Sequence, residues 1–448
     1  MKKSKTRFQG TSKKMTKEQR GITLVALVIT IIIIIILATV TINMAFGDNG
    51  LIRQAELARD LTANSTEYET QATANLVAYM NEMLPGSGTV TPPETELPKV
   101  EEIKGGEAFD TKTTVEDAEG NKIVVPAGFK IASDSGNTVQ QGIVIEDVSA
   151  STAAAVQGSQ FVWIPVGVFI KDGGTPSNEI ILGRYTFSTS SPGTPTLQQA
   201  AYIKESDGSY TDNYTTPKVI ESYYSELATY RVGEASNGTD GLNATAYNLK
   251  EWIDSVKENG GYYIGRYEAS FASGTSVDNY KAATKVSTGS STSSMNYSPR
   301  TLWNFITQLD ASKVAINTYS DSTSVKSDLM NSYAWDTAIV FIQECGHTNY
   351  ANQDGNSINS SLTNTGTKQD EVCKINDMAS NIREWTTEYS SNALSSRAGH
   401  CTVRGGSFPD STPYTAYRSS NYASYSKFFL RFPPQLVYVG LRPDRESE

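Results

Sequence analysis

Between Ile22 and Phe46 the chain reads ITLVALVITIIIIIILATVTINMAF, 25 residues without one charge. As a helix this run extends about 37 Å at 1.5 Å per residue, more than the roughly 30 Å of a bilayer's hydrocarbon layer. A membrane span is the reading it demands. The first twenty residues carry eight Lys or Arg against Glu18 alone, a local charge of +7, while the whole chain of 448 residues is at -10. The positive-inside rule keeps the basic tail in the cytoplasm and sends the remaining four hundred or so residues outside. A secretory signal peptide is the competing reading, but the run is longer than an h-region and no small-x-small site closes it. The acidic remainder repels phosphate backbones, so nucleic acid is excluded as a partner.

The junction Lys17-Glu18-Gln19-Arg20-Gly21-Ile22-Thr23-Leu24 resembles the leader of type IV prepilins. The resemblance implies cleavage between Gly21 and Ile22, and pilin subunits as partners. In that family the fifth mature residue is usually Glu, which pairs with a neighbour's free amine; here it is Ala26, which argues against an ordinary shaft subunit and leaves a tip or minor pilin, or a plain anchor. Past the interruption Gly47-Asp48-Asn49-Gly50, apolar residues at Leu51, Ile52, Ala55, Ala58 and Leu61, and again at Leu76, Val77, Met80 and Met83, keep helical spacing. They predict either a stalk helix or a juxtamembrane helix packed on its own domain.

The expected organisation is therefore a basic cytoplasmic leader over 1–21, a transmembrane and stalk helix over 22–84, a Pro/Gly/Thr linker over 85–100 and a globular domain over 101–448. Within that domain the pattern is α+β with long loops. Strands are expected at Lys122 to Val125, Gly142 to Glu146, Phe161 to Val166, Tyr262 to Glu268 and Val437 to Leu441. Helices are expected at Asn248 to Asn259, Ser298 to Leu309 and Met330 to Ile342. Cysteines occur only at 345, 373 and 401, in no motif spacing; one bridge plus a free thiol and three buried thiols both fit.

Five segments follow one another: Phe161-Val162-Trp163-Ile164-Pro165-Val166, Tyr262-Tyr263-Ile264-Gly265-Arg266-Tyr267-Glu268, Asp377-Met378-Ala379-Ser380-Asn381-Ile382-Arg383-Glu384-Trp385-Thr386, Val403-Arg404-Gly405-Gly406-Ser407-Phe408 and Val439-Gly440-Leu441-Arg442-Pro443. In this order they resemble the signatures of the formylglycine-generating-enzyme, or sulfatase-modifying-factor, family. The resemblance implies an irregular C-type-lectin-like fold, and a calcium ion held through oxygen ligands of Asn381 and Glu384. Pairing of Glu384 with a buried Arg404 or Arg442 is the competing reading, and Trp385 reads as core.

The family's oxygen-dependent enzymes need a cysteine pair shortly after R-G-G-S to bind copper. Here Phe408 to Arg418 contains none, and Cys401 precedes the motif. A zinc set drawn from Cys345, His347, Cys373, His400 and Cys401 matches no zinc-site spacing. With two histidines in the chain and no G-x-S-x-G element, a Ser-His-Asp device is also disfavoured. No catalytic residue is assigned, and a surface-tethered enzyme of the same superfamily stands as the alternative function.

Between Pro413 and Pro443 Tyr, Ser, Asn, Arg and Phe crowd together, a mixture suited to contact surfaces. The segment is similar to the variable face of lectin-fold proteins diversified by retroelements. Its expected contacts are Tyr414, Tyr417, Arg418, Asn421, Tyr422, Tyr425 and Phe428, facing an external protein or glycan. The function expected is that of a non-catalytic adhesin or receptor at the cell surface.

Overall fold

The computed structural model describes residues 96–214, 228–230, 233–234, 245–246, 249–276, 279–287, 289–290, 301–302, 306–354, 363–366, 370–390, 400–406, 415–422, 430–431 and 434–438. The chain divides into two units, Met1–Glu94 and Thr95–Glu448. The first, with the apolar run 22–46 and the expected processing residues Gly21 and Ile22, lies outside the described residues. Among the described residues no helix is long and apolar enough to cross a membrane.

The second unit mixes helix and strand in small, mostly antiparallel sheets. Its largest sheet has six strands: β1 (Phe129–Ile131), β2 (Val144–Asp147), β3 (Gln160–Pro165), β6 (Gly261–Gly265), β7 (Val325–Leu329) and β14 (Pro434–Tyr438), in the order β7-β14-β6-β3-β2-β1. Every pairing in it is antiparallel. Strands β3 and β6 are buried at almost every position, and their near-continuous apolar sequences reflect cover on both faces.

Alternation sends Trp163 and Tyr263, cross-strand partners with rings 5.0 Å apart, to one face, and Tyr262 to the other. Tyr262 meets Trp252 of α1 (Leu249–Asn259) at 5.2 Å between ring centres. Its hydroxyl donates to the carbonyl of Ala334 in α3 (Ser332–Glu344) at 2.6 Å. Burying three such aromatics contributes on the order of 2–3 kcal/mol each. Tyr319 packs edge-on against Phe161 at 6.0 Å, and its hydroxyl donates to Asp147 at 2.9 Å.

Helix α3 starts where the Asn331 side chain accepts from the amide of Ala334 and ends at Cys345, with Gly346 at φ 108 immediately after. Twelve of its residues, Ser332 to Gln343, are buried, so it is a core helix whose one acidic side chain before the C-terminal Glu344 is Asp336.

The remaining helix differs from expectation. Helix α2 covers Gln308–Thr318, whereas Thr301–Leu302 is a short strand paired with Ser270 and with Gly289–Ser290. Thr307 explains the shift: its extended backbone stops the helix upstream, and its hydroxyl accepts from the amide of Asp310. The apolar stripe that docks α2 is Ala311, Val314 and Ala315, which pack with Leu329, Trp385 and Val403 in a second, smaller core. Trp385 is fully buried there, as its core reading required, and donates to the carbonyl of Ile306 at 2.9 Å.

Candidate functional site

The second sheet is built on β10 (Arg383–Ser390), flanked by β11 (His400–Arg404) and then β12 (Arg418–Tyr422). On its other side β10 pairs antiparallel with β5 (Ala228–Tyr230) and in parallel with β13 (Leu430–Arg431). Register puts Arg404 opposite Arg418 at the end of the β11–β12 pair from which 405–417 departs. Two arginines side by side in a protein interior demand anions.

Asp336 of α3 and Glu388 of β10 supply them, and the four side chains close a ring of alternating charge. Arg404 Nη2 donates to Asp336 Oδ1 at 2.5 Å, and its Nη1 to Glu388 Oε1. Arg418 Nη2 donates to Asp336 Oδ2, and its Nε to Glu388 Oε2 at 3.3 Å. No member exceeds 3% side-chain exposure. Strand β4 (Gly183–Phe187) adds two backbone contacts: the Tyr185 amide donates to Asp336 at 2.8 Å and the Tyr185 carbonyl accepts from Arg418 at 3.2 Å. Burial alone would push the Asp336 carboxyl up, but the Arg418 and Arg404 guanidiniums outweigh it and hold the carboxyl below its ordinary range.

The same elements fasten the segment between the two arginines at both ends. Gly405, at φ 79, lies where a Cβ would stand 2.9 Å from the Met378 carbonyl and 3.3 Å from the Trp335 ring. At the far end the Thr415 carbonyl accepts from Trp335 Nε1 at 3.0 Å, the Ala416 amide donates to the Ala351 carbonyl at 3.0 Å, and the Tyr417 carbonyl accepts from Arg404 Nε at 3.1 Å. The arrangement is a charge-clamped base at Arg404–Gly405 and Thr415–Arg418; residues 407–414 lie outside the described residues.

No protein-family model matches the chain, and neither a curated protein nor a solved structure matches it.

The expected contact residues separate on this frame. Tyr417 is half-buried with the Arg383 guanidinium 5.0 Å over its ring. Asn421 and Tyr422 end β12, paired with Cys401 and His400; among the described residues β12 pairs with β11 alone, at the edge of the sheet. Tyr414, Tyr425 and Phe428 lie outside the described residues. Arg418 is a correction: expected on an open face, it is 4% exposed and both ends of its guanidinium are taken by the ring. An arginine beside Arg404 in the sheet was bound to be drawn to the same carboxylates.

The two residues expected to hold calcium, Asn381 and Glu384, are both buried. Asn381, at φ 62, uses its oxygen to accept from the Thr363 amide at 2.9 Å, and its amide group donates to Glu268 Oε2 and to the Thr363 carbonyl. It is a strap between loops, in a buried polar cluster where Asp377 accepts from Thr365 and Asp370 accepts from the Ala379 amide. Glu384 is 1% exposed and its backbone lies opposite Arg404, yet the Arg404 guanidinium serves Asp336 and Glu388 instead; Arg442 lies outside the described residues. Among the described residues no three or more His, Cys, Asp or Glu side chains group as a metal site.

Sequence reasoning missed Asp336 and Glu388. The available signal was Asp336 itself, one charge in the otherwise uncharged run Ser332-Tyr333-Ala334-Trp335-Asp336-Thr337-Ala338-Ile339-Val340-Phe341-Ile342-Gln343. A charge in a core helix predicts a buried counter-ion.

Proposed function

We propose that this chain is a cell-surface or pilus-associated binding protein, tethered by the apolar run 22–46, that presents a non-catalytic lectin-like domain to an external protein or glycan. The observation that carries the reading is the clamped base at Arg404 and Arg418. A recognition segment gains affinity when its ends are held in advance, because less freedom is lost on binding. Here both ends of 405–417 are fixed by a buried ion ring, and the 415–417 end also by three hydrogen bonds to its backbone. Tyrosines occur in this part of the sequence at 414, 417, 422 and 425, and tyrosine supplies large amphipathic contact area at low entropic cost.

Convergence of the signature segments supports the lectin-like reading. Phe161–Val166 and Tyr262–Gly265 meet as adjacent strands β3 and β6. The Asn376 amide donates to the Arg266 carbonyl at 2.9 Å, Asn381 bonds Glu268, and Gly405 abuts the Met378 carbonyl. Segments remote in sequence thus share one framework.

The test is capture by the detergent-solubilised full chain on arrays of glycans and surface proteins. Alanine at Tyr417, Tyr422 and Tyr425 together should abolish capture with the melting temperature unchanged. Capture that survives the triple replacement would overturn the contact face. Mass spectrometry of the membrane-extracted chain addresses the tether: an N-terminus at Ile22 supports prepilin-type processing, whereas an intact Met1 removes it and leaves a plain anchor.

A further inference from the structure

Two of the three cysteines meet across 28 residues of chain. Cys345 caps the C-terminus of α3, buried in the main core. Cys373 sits half-buried at the tip of a hairpin between β8 (Glu371–Val372) and β9 (Ile375–Asn376), and packs on that same core. Both thiols are free, and Cys373 is near enough to Cys345 to help raise its pKa. One loop brings them together: the Gln140 amide donates to the Cys345 carbonyl at 3.5 Å, and Gly142, two residues on, lies so close that a Cβ on it would be 2.1 Å from the Cys373 carbonyl oxygen.

The hairpin tip is held in a costly shape. Cys373 and Lys374 have φ of 46° and 64°, the left-handed pair that a two-residue turn of this kind needs and that Asn-Gly normally supplies. Neither residue prefers it, and such conformations persist where the surroundings over-determine them. The turn delivers a thiol to the end of α3.

We propose that Cys345 and Cys373 are a cross-linking site, closed to a disulfide by a disulfide-bearing oxidant, with Cys401 left as a thiol. The more accessible Cys373 thiolate attacks one sulfur of the oxidant, forming a mixed disulfide and expelling the first thiolate. The Cys345 sulfur, once deprotonated, attacks Cys373 and expels the second. Two electrons and two protons pass to the oxidant, which leaves as two thiols. Burial, followed by the nearness of Cys373, pushes the Cys345 thiol well above its ordinary range, and this orders the two steps: the buried partner resolves rather than initiates. Nearby Lys171 acts against that rise. The bond would brace α3, the source of Asp336, against the hairpin that leads into β10, the source of Glu388.

The test uses the reduced full chain in detergent, exposed to oxidised glutathione, denatured, alkylated and mapped by mass spectrometry. Expected are a peptide linking residues 345 and 373, alkylation at Cys401 alone, and a melting temperature higher by about 5 °C. Cys401→Ser should cross-link as the parent does, and Cys373→Ser should show neither the linked peptide nor the thermal gain. Three alkylated cysteines, a lasting glutathione adduct at Cys373, or a bridge involving Cys401 would each overturn the assignment. The outcome is independent of where the domain resides, so it separates from the surface-display reading.

Discussion

Asp336 satisfies two arginines and one backbone amide at once, so its removal strands more charge than it takes away. Asp336→Asn should cost about 3 kcal/mol, because breaking a buried ion pair leaves its partner uncompensated; a lowered denaturant midpoint is the measurement. The acid limb has a definite sign. A carboxyl held below its ordinary value of 3.8 stabilises the fold fully above that value, and the contribution is lost as pH falls through the lower folded value. Stability followed by denaturant titration from pH 5 downward should therefore fall below about pH 4 in the parent, and more shallowly in the Asn variant. Gly142 offers a steric counterpart. At φ 90, with the Cys373 carbonyl 2.1 Å from an added Cβ, Gly142→Ala should destabilise by about 2 kcal/mol and slow formation of the 345–373 bridge.

Elements differ in how openly their sequences declare them. The strands at Lys122–Val125 and Gln160–Pro165 and the helices at Leu249–Asn259 and Ser332–Glu344 stand within about two residues of where apolar pattern and flanking turns put them. Local signals suffice there. Helix α2 did not yield to pattern, since the apolar residues just ahead of it mimic a helical start and only the Thr307 cap marks the true one. Thr307→Ala should cost about 1 kcal/mol, read by thermal melting, with the loss confined to the second core in hydrogen exchange. The ion ring was illegible for another reason: its members are up to 82 residues apart, and no local period links Asp336 to Arg418. Arg404 was legible as buried, but its partners were not. Trp335→Phe removes the one side-chain bond to the Thr415 carbonyl, and exchange of the Ala416 and Tyr417 amides should quicken while α1 is unaffected.

At the scale of the whole chain, the charge step across the apolar run and the cysteine pair make a joint expectation. If the acidic body lies outside, protease added to intact cells should trim it, and the chain extracted from those cells should already carry the 345–373 bridge. Thiols found free in protein that protease can reach would separate location from redox state.

Strand β14, residues 434–438, lies between β6 and β7 in the interior of the main sheet, although 169 positions separate it from the end of β6. That sheet therefore cannot close while the polypeptide is still being elongated. Synthesis must have passed residue 438 before the domain becomes native, and everything upstream waits as an open, unclosed chain until then.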